Sequence, residues 1–347
     1  MKRSMRLIFP PILLALLLSS CIPINTVATI SPADEEGGGK ATRPAAEAEV
    51  EEVSVKKDIT YANPQVDGIP QKLKLDIYLP EGDADKYPAL VYIHGGGWMD
   101  GGRSSCPGNA LAKGGYVVAC IDYRLVSKEG DCSQDAIFPA AVQDVKSAVR
   151  WLRQNARTYQ IDADHIGLIG DSAGGHLAVL AGVSKGAKLF ANSQNSGPSD
   201  AVQAIVDWYG PVDVSSMEIA FTEDACKVKY SDLAGAYSAS PYFELSYAWS
   251  RFLGGSLDSK TVLSLASKAS PLSYLDGGDP PVLIMHGADD NVVPTSQHKI
   301  LLDALKAKGI RTTLITLPGV GHSYGSSSNP NANFLVSSLS FLDSHLK

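Results

Sequence analysis

Six short apolar runs constrain the fold of this chain more than any other feature of its sequence. Each run is nearly continuous in apolar residues, which is typical of strands covered on both faces. Segments with apolar residues at helical spacing separate the runs, and alternation of strand with helix favours a parallel sheet. We therefore predict an α/β fold with a mostly parallel, doubly wound sheet and helices on both faces. The runs are PALVYIHG, YVVACIDY, HIGLIGD, AIVDWYG, PVLIMHG and TTLITLPG.

Other segments complete this pattern. KLKLDIYLP alternates apolar and polar residues, which predicts a half-buried strand near an edge of the sheet. Helical spacing is seen in PAAVQDVKSAVRWLRQNA and over residues 295–309 and 331–346. The chain has 347 residues, of which 44% are hydrophobic and 19% charged, an ordinary globular composition. One large domain, or one domain with an insertion, is the default expectation.

One interval is too long for a single crossover. Residues 212–279 separate the fourth run from the fifth and are rich in Tyr, Phe and Trp. A crossover between parallel strands needs only one helix, so we predict an insertion that forms a cap or one wall of a pocket. The alternative is a structural excursion with a small core of its own.

The N-terminus has the pattern of an export signal. Three basic residues precede an apolar run of about a dozen residues, too short to span a membrane, which predicts a secretory signal over residues 1–21. The sequence LSSC that ends at Cys21 resembles the lipobox of bacterial lipoproteins. It implies lipidation of Cys21 and a lipoprotein anchored to a membrane, in the periplasm or at the cell surface; an ordinary signal with an incidental Cys21 is the alternative.

Residues 22–53 contain few large apolar side chains, which predicts a flexible tether before a folded domain over residues 54–347. Export would place the four remaining cysteines in an oxidising compartment, where up to two disulfides can form. Cys120 lies inside an apolar run and is expected to be a buried small hydrophobe. We therefore favour a disulfide between Cys106 and Cys132, both in loop-like sequence.

Charge and cysteine spacing exclude two classes of partner. The formal net charge is -7, and basic residues cluster only at the extreme N-terminus, so we expect no nucleic-acid binding. No Cys-x-x-Cys motif is present, and we expect no metal site.

The motif GDSAG at residues 170–174 joins the strand-like HIGLI to the helix-like GHLAVLAG. A tight turn between strand and helix lifts a serine hydroxyl clear of the sheet, and the helix N-terminus favours negative charge beside it. We predict that Ser172 is a nucleophile; the alternative is a tight turn without chemistry. A serine hydroxyl needs a base to remove its proton.

His322 is the histidine best placed to be that base, since it follows an apolar strand within the loop LPGVGHSYG. The imidazole in turn needs a carboxylate partner. MHGADDNVVP offers two, and we favour Asp290 over Asp289 because the residues after it can turn the loop back toward the next loop. The aspartate that is not the partner would be a helix cap or a solvated loop charge. The chain order serine, aspartate, histidine is that of α/β-hydrolases.

A tetrahedral intermediate also needs donors for its negative oxygen. The segment YIHGGGW follows an early strand, and its glycines let backbone amides approach a substrate closely. We predict an oxyanion hole formed by the amides of Gly96, Gly97 and Ala173. His94 is expected to be a structural hydrogen bonder, and we expect Trp98 to contact the substrate.

Together HGGGW, DYRL, GDSAGGHLA, WYGPVD, HGADDNVVP and GVGHSYG resemble the α/β-hydrolase carboxylesterases with the HGGG signature, related to hormone-sensitive lipase. The similarity covers residues 55–347 and is greatest to a secreted bacterial branch with xylan-associated acetyl and feruloyl esterases. It implies the α/β-hydrolase fold, Ser172 as nucleophile, Asp290 as acid, His322 as base and oxyanion amides at Gly96, Gly97 and Ala173.

The resemblance implies a secreted serine carboxylesterase for short-acyl esters, with no cofactor. Its substrate would be a small ester or an acetyl or feruloyl group on plant polysaccharide. Relatives of this family also include formamidase-like and peptidase-like enzymes, so amide hydrolysis is the second hypothesis. A non-catalytic binding module is the third, and the presence of both Ser172 and His322 argues against it.

Overall fold

The computed structural model describes residues 27–29, 52–324 and 334–347. The six apolar runs and the alternating segment all form strands inside the main sheet, where most of their side chains are buried. The strands are β1 (Val27–Thr29), β2 (Glu52–Ala62), β3 (Gln65–Val66), β4 (Ile69–Pro70), β5 (Leu73–Glu81), β6 (Tyr87–Ile93), β7 (Val117–Ile121), β8 (Ile161–Asp171), β9 (Ala204–Trp208), β10 (Val282–Gly287) and β11 (Thr312–Leu317).

The segments with helical spacing form helices that lie between these strands or, for the last of them, after β11. Short 3₁₀ turns lie near several of the loops. The α-helices are α1 (Gly108–Lys113), α2 (Ala140–Gln154), α3 (Ala173–Val183), α4 (Tyr230–Tyr237), α5 (Phe243–Leu253), α6 (Lys260–Ala269), α7 (Ser296–Ala307) and α8 (Phe334–Leu346).

A nine-stranded sheet has the order β1-β11-β10-β9-β8-β6-β7-β5-β2, and β5 alone runs against its neighbours. Alternate residues along β6 bury on opposite faces, as the two-residue period of a strand requires. One face packs against α2, α3 and α7, and the other packs against α1 and α8. The predicted mostly parallel, doubly wound sheet with helices on both faces is confirmed.

Part of the predicted tether pairs with the sheet. Val27–Thr29 lies parallel to Leu314, Ile315 and Thr316 of β11. The rest of residues 22–51, the predicted signal and Cys21 lie outside the described residues. No helix within residues 52–324 or 334–347 combines the length and the apolarity that a bilayer crossing needs.

The predicted disulfide between Cys106 and Cys132 is wrong. Cys106 pairs with Cys120, and their Cα atoms are 5.9 Å apart. The Cys120 side chain is buried on the sheet face that carries α1, and Cys106 packs against the same face just before that helix. Burial therefore did not exclude this cysteine from a disulfide. Cys132 instead pairs with Cys226, which lies in the insertion, at a Cα separation of 5.3 Å.

The insertion contains α4, α5 and α6. Between α4 and α5 a small apolar core forms from Phe221, Leu233, Phe243 and Tyr247. Arg251 of α5 is fully buried and donates to backbone carbonyls of the loop before α2, which ties the insertion to the main domain. The insertion thus has a core of its own and is fastened to the rest of the molecule by a disulfide and by this arginine.

Candidate active site

Ser172 occupies a strained turn at the carboxyl edge of the sheet. β8 ends at Asp171 and α3 begins at Ala173, so the serine stands alone between strand and helix with φ 52° and ψ -120°. A positive φ is unfavourable for a residue with a side chain and occurs where the surroundings enforce it. The Ser172 amide donates to the Trp208 carbonyl at 2.8 Å, and the Ser172 carbonyl accepts from the His176 amide at 3.1 Å.

Glycines flank the serine because there is no space for a side chain. A Cβ at Gly170 would lie 2.3 Å from the carbonyl oxygen of Gly174, and a Cβ at Gly174 would lie 2.0 Å from that of Ile93. Both obstacles are backbone atoms, one in the first turn of α3 and one at the end of β6, which cannot move without disturbing the packing of the helix on the sheet. The close approach of α3 to β6 therefore requires glycine at these positions.

We expect Gly174→Ala to destabilise the fold by roughly 1–3 kcal/mol or more, because the added methyl meets the backbone of β6. Gly235→Ala is the matched control, since a Cβ at this position in α4 meets nothing within 4 Å. Alanine there should stabilise the protein by about 0.5–1 kcal/mol. Urea unfolding of both variants checks the pair, and equal stability of the two would contradict the account.

His322 bridges the serine and a carboxylate. Its Nε2 lies 2.9 Å from Ser172 Oγ, and its Nδ1 lies 2.8 Å from Asp290 Oδ2. The ring of Tyr209 packs edge-on against the imidazole, with ring centroids 4.7 Å apart. These contacts hold the imidazole in line between the hydroxyl and the carboxylate.

Asp290, and not Asp289, is the carboxylate that contacts His322. Asp290 is buried and its Oδ1 accepts from the amides of Val292 and Val293, both at 2.9 Å, whereas the side chain of Asp289 is exposed. Burial raises the pKa of Asp290, but hydrogen bonds from His286 and His322 outweigh it and hold that pKa well below its usual range. The carboxylate is therefore ionised beside His322.

The glycine loop after β6 borders the same site. Gly96 and Gly97 adopt φ of 110° and 59°, and a Cβ at Gly96 would lie 2.2 Å from the carbonyl oxygen of Asp100. Both glycines line the cavity with Ser172. Ala173 is the first residue of α3, so its amide is one of the helix donors that have no acceptor within the helix. The three predicted oxyanion residues thus lie around the serine.

His94 has the structural role expected of it. It is buried, its Nδ1 lies 2.7 Å from the Gly95 carbonyl oxygen, and its ring stacks on Tyr123 with centroids 4.3 Å apart. Burial lowers its pKa, so the imidazole is neutral.

Asp171 connects the serine turn to the glycine loop, a contact that sequence reasoning missed. Its Oδ1 accepts from the Tyr92 hydroxyl at 2.6 Å and from the Gly95 amide at 3.1 Å. Burial raises the pKa of this carboxyl. Since β6 and β8 are neighbours in the sheet, the contact depends on strand order, and no local pattern in the sequence reports it.

Trp98 does not contact the cavity, contrary to the prediction. It is 1% exposed, and its indole lies against the rings of Trp249 and Phe252, with centroids 4.6 and 4.5 Å apart. A large aromatic side chain gains more from burial in this aromatic cluster than from exposure at a cavity wall. Trp98 therefore packs the glycine loop against the insertion helix α5.

A cavity of about 660 Å³ opens above the serine. The insertion supplies one wall of it through α4 and α5, in agreement with one of the two roles predicted for this region. The remaining wall comes from the glycine loop, the loop before α2 and the loops after β9, β10 and β11. The lining residues are Gly96, Gly97, Met99, Asp100, Lys128, Glu129, Asp171, Ser172, Tyr209, Tyr230, Glu244, Leu245, Tyr247, Ala248, Val292, His322, Ser323 and Tyr324.

Charges at the cavity are paired or acidic. Lys128 forms an ion pair with Asp100, with Nζ 2.5 Å from Oδ2. Glu244 accepts a hydrogen bond from the Tyr230 hydroxyl at 2.6 Å. This hydrogen bond is the larger cause, and burial the smaller one, of a rise in the pKa of Tyr230 to about 12. Glu129 adds a further exposed carboxylate to the lining. Residues 52–324 and 334–347 contain no group of three or more His, Cys, Asp or Glu side chains arranged to hold a metal ion.

The parallel sheet, the strained serine and the serine–histidine–aspartate hydrogen-bond line together define an α/β-hydrolase, as the resemblance implied. The chain belongs to the BD-FAE family, whose sequence profile matches residues 75–305. The match spans β5 to α7 and includes Ser172 and Asp290.

Individual relatives agree with this assignment. Esterase LipQ of Mycobacterium tuberculosis is 29% identical over 241 residues, which cover 68% of this chain and 50% of the relative. The chain spans about half the length of the curated relatives it matches. A truncated carbohydrate esterase from gut microbiota has 28% identity and a TM-score of 0.64, covering 86% of this chain and 99% of its own.

A thermophilic esterase from Thermogutta terrifontis, Est2, solved with butyrate bound, has 25% identity and a TM-score of 0.60; the alignment covers 85% of this chain and 93% of that one. These relatives are described as esterases, one as a carbohydrate esterase and one with a short acid bound.

Proposed function

We propose that the protein is a serine carboxylesterase. Ser172 Oγ attacks the ester carbonyl while its proton passes to His322 Nε2, and the amides of Gly96, Gly97 and Ala173 bind the negative oxygen. The tetrahedral intermediate collapses, the alcohol leaves with the proton from His322, and an acyl-enzyme remains. Water then attacks the acyl carbon with His322 as base, which releases the acid and restores the serine.

The observation that carries this proposal is the hydrogen-bond line from Ser172 Oγ through His322 to Asp290, with distances of 2.9 and 2.8 Å. A nucleophile hydrogen-bonded to a base, and a base oriented by a third group, is the geometry that acyl transfer needs. The ionised Asp290 can hold His322 with its proton on Nδ1 and stabilise the imidazolium as it forms. Esterase relatives favour esters over amides as the substrate.

For the substrate we propose short-acyl esters, including acetyl groups carried on carbohydrate. Support comes from the carbohydrate esterase similar to this chain and from the butyrate-bound relative. The tyrosines and the carboxylates around the cavity offer apolar faces and hydrogen-bond partners that suit a sugar ring. The acidic charges there favour a neutral alcohol part over an anionic one.

A panel of p-nitrophenyl esters tests the acyl preference. We expect kcat/KM to be highest for the acetate-to-butyrate esters and to fall for octanoate and laurate. Acetylated xylan, methyl ferulate and an N-formyl amide, assayed beside the panel, separate the polysaccharide and amide alternatives. A maximum at octanoate or longer would overturn the short-acyl assignment, and faster turnover of the amide would overturn the ester assignment.

We also propose that the chain is exported and anchored through lipidated Cys21. The support is the signal-like N-terminus that ends in LSSC. The two disulfides are compatible with an oxidising compartment. A tethered esterase would meet substrate outside the cytoplasm.

A further inference from the structure

Asp290 is shared by two histidines. Its Oδ2 lies 2.8 Å from His322 Nδ1 and also 3.1 Å from Nε2 of His286, the penultimate residue of β10. His286 is 0% exposed. The second histidine therefore touches the same carboxylate oxygen that orients the candidate base, but from inside the core.

The partners of His286 determine where its proton lies. Nε2 faces the carboxylate of Asp290 and, at 3.2 Å, the carbonyl oxygen of Val293. Both oxygens can only accept, so Nε2 must carry the hydrogen. Nδ1 is buried and has no hydrogen-bond partner among the described residues, which matches an unprotonated nitrogen. The hydrogen bond to Asp290 thus requires the tautomer with its proton on Nε2.

His286 is a polar residue within an apolar strand. β10 is buried along its whole length, where an aliphatic side chain would pack without leaving a polar atom unpaired. The centroid of the neighbouring His298 ring lies 4.8 Å from that of His286, and burial lowers the pKa of His298 to about 4, so His298 is neutral. The imidazole at position 286 gives Asp290 a hydrogen-bond donor that an aliphatic side chain could not provide.

We propose that His286 is a positioning residue for the esterase reaction, which orients Asp290 by donating a hydrogen bond from Nε2 to Oδ2. The amides of Val292 and Val293 hold Oδ1, and the fully buried His286 holds Oδ2. Only one direction at Oδ2 then remains for His322, which keeps the imidazole aligned with Ser172. The inference rests on the proposed function.

Two amide substitutions separate hydrogen bonding from packing. In His286→Gln the amide nitrogen matches the position of imidazole Nε2 and can still donate to Asp290. In His286→Asn the amide nitrogen matches the position of imidazole Nδ1 and cannot reach Asp290. We expect the asparagine variant to lower kcat for p-nitrophenyl acetate roughly 10- to 100-fold with KM within about threefold, and the glutamine variant to retain kcat within about threefold.

A double-mutant cycle with Asp290→Asn tests whether the effect passes through Asp290. In that background His286→Asn should lower kcat by no more than about twofold, because the oriented carboxylate is already lost. Equal costs in both backgrounds, or equal losses in the glutamine and asparagine variants, would overturn the proposal.

A measurement on the wild-type protein keeps the proposal testable if the variants do not fold. NMR of isotope-labelled histidine reports the tautomer of each ring directly. We expect the His286 ring to carry its hydrogen on Nε2, as the two acceptors facing that nitrogen require; a hydrogen on Nδ1 instead would overturn the proposal. This result is independent of turnover, whereas absence of wild-type ester hydrolysis would refute the proposed function itself.

Discussion

Replacing Ser172 with alanine is expected to lower kcat for p-nitrophenyl acetate by roughly 10⁴- to 10⁶-fold, because the variant lacks the hydroxyl that is hydrogen-bonded to His322 and would form the acyl-enzyme. The variant should fold normally, since the Ser172 hydroxyl hydrogen-bonds only to His322 within residues 52–324 and 334–347. KM should change little because the cavity walls remain. Initial rates measured with purified protein, with near-ultraviolet circular dichroism to verify folding, check this prediction.

Ser264→Ala is the matched control for this substitution. Ser264 is an exposed residue of α6, outside the cavity lining, so its replacement should leave kcat within about twofold. Ester hydrolysis that survives in the Ser172 variant at the rate of this control would exclude Ser172 as the nucleophile.

Asp290→Asn is expected to lower kcat by about 10⁴-fold while the fold is retained. The asparagine has the same shape, but it lacks the charge that stabilises the imidazolium of His322, and its amide can favour the wrong tautomer of that ring. Steady-state kinetics on p-nitrophenyl acetate measure the loss, and thermal unfolding verifies that the variant is folded.

Asp289→Asn provides a control that differs by one position. The side chain of Asp289 is exposed, so its neutralisation should change kcat by no more than about twofold. If the two variants were equally impaired, or if Asp289→Asn were the worse, the assignment of Asp290 as the partner of His322 would be wrong.

The fold could be predicted because its signals are local and repeated. Strands covered on both faces need continuous apolar runs, and each run became a strand of the sheet. The periodic helical segments also formed helices, with bounds that differ by a few residues: the stretch over residues 295–309 contains α7, Ser296–Ala307. The serine turn could be predicted for the same reason, since the strand, the glycines and the helix are adjacent in the chain.

The choice between Asp289 and Asp290 depended on burial, which two adjacent aspartates in one loop do not reveal. In the folded protein the amides of Val292 and Val293 turn toward Asp290 and leave its neighbour in solvent. The residues that follow Asp290 therefore determine which carboxylate faces inward. The loop sequence predicts the partner of His322 only through these following residues.

The errors concern contacts between distant segments. Cys120 was expected to be an unpaired buried residue, yet its place on β7 brings it within reach of Cys106. Trp98 follows three glycines beside the site, but its side chain joins an aromatic cluster with residues of the insertion helix α5. Neither the strand face of a cysteine nor the partner of an aromatic ring can be read from neighbouring residues alone.

Covalent labelling of Ser172 tests the central claim most directly. Incubation with diethyl p-nitrophenyl phosphate should attach one diethylphosphoryl group to each active protein molecule, with hydrolytic activity lost in proportion to labelling. Peptide mass spectrometry should locate the group on Ser172, and the Ser172→Ala variant should remain unlabelled. Labelling of a different residue, or full activity in protein labelled at Ser172, would contradict the account.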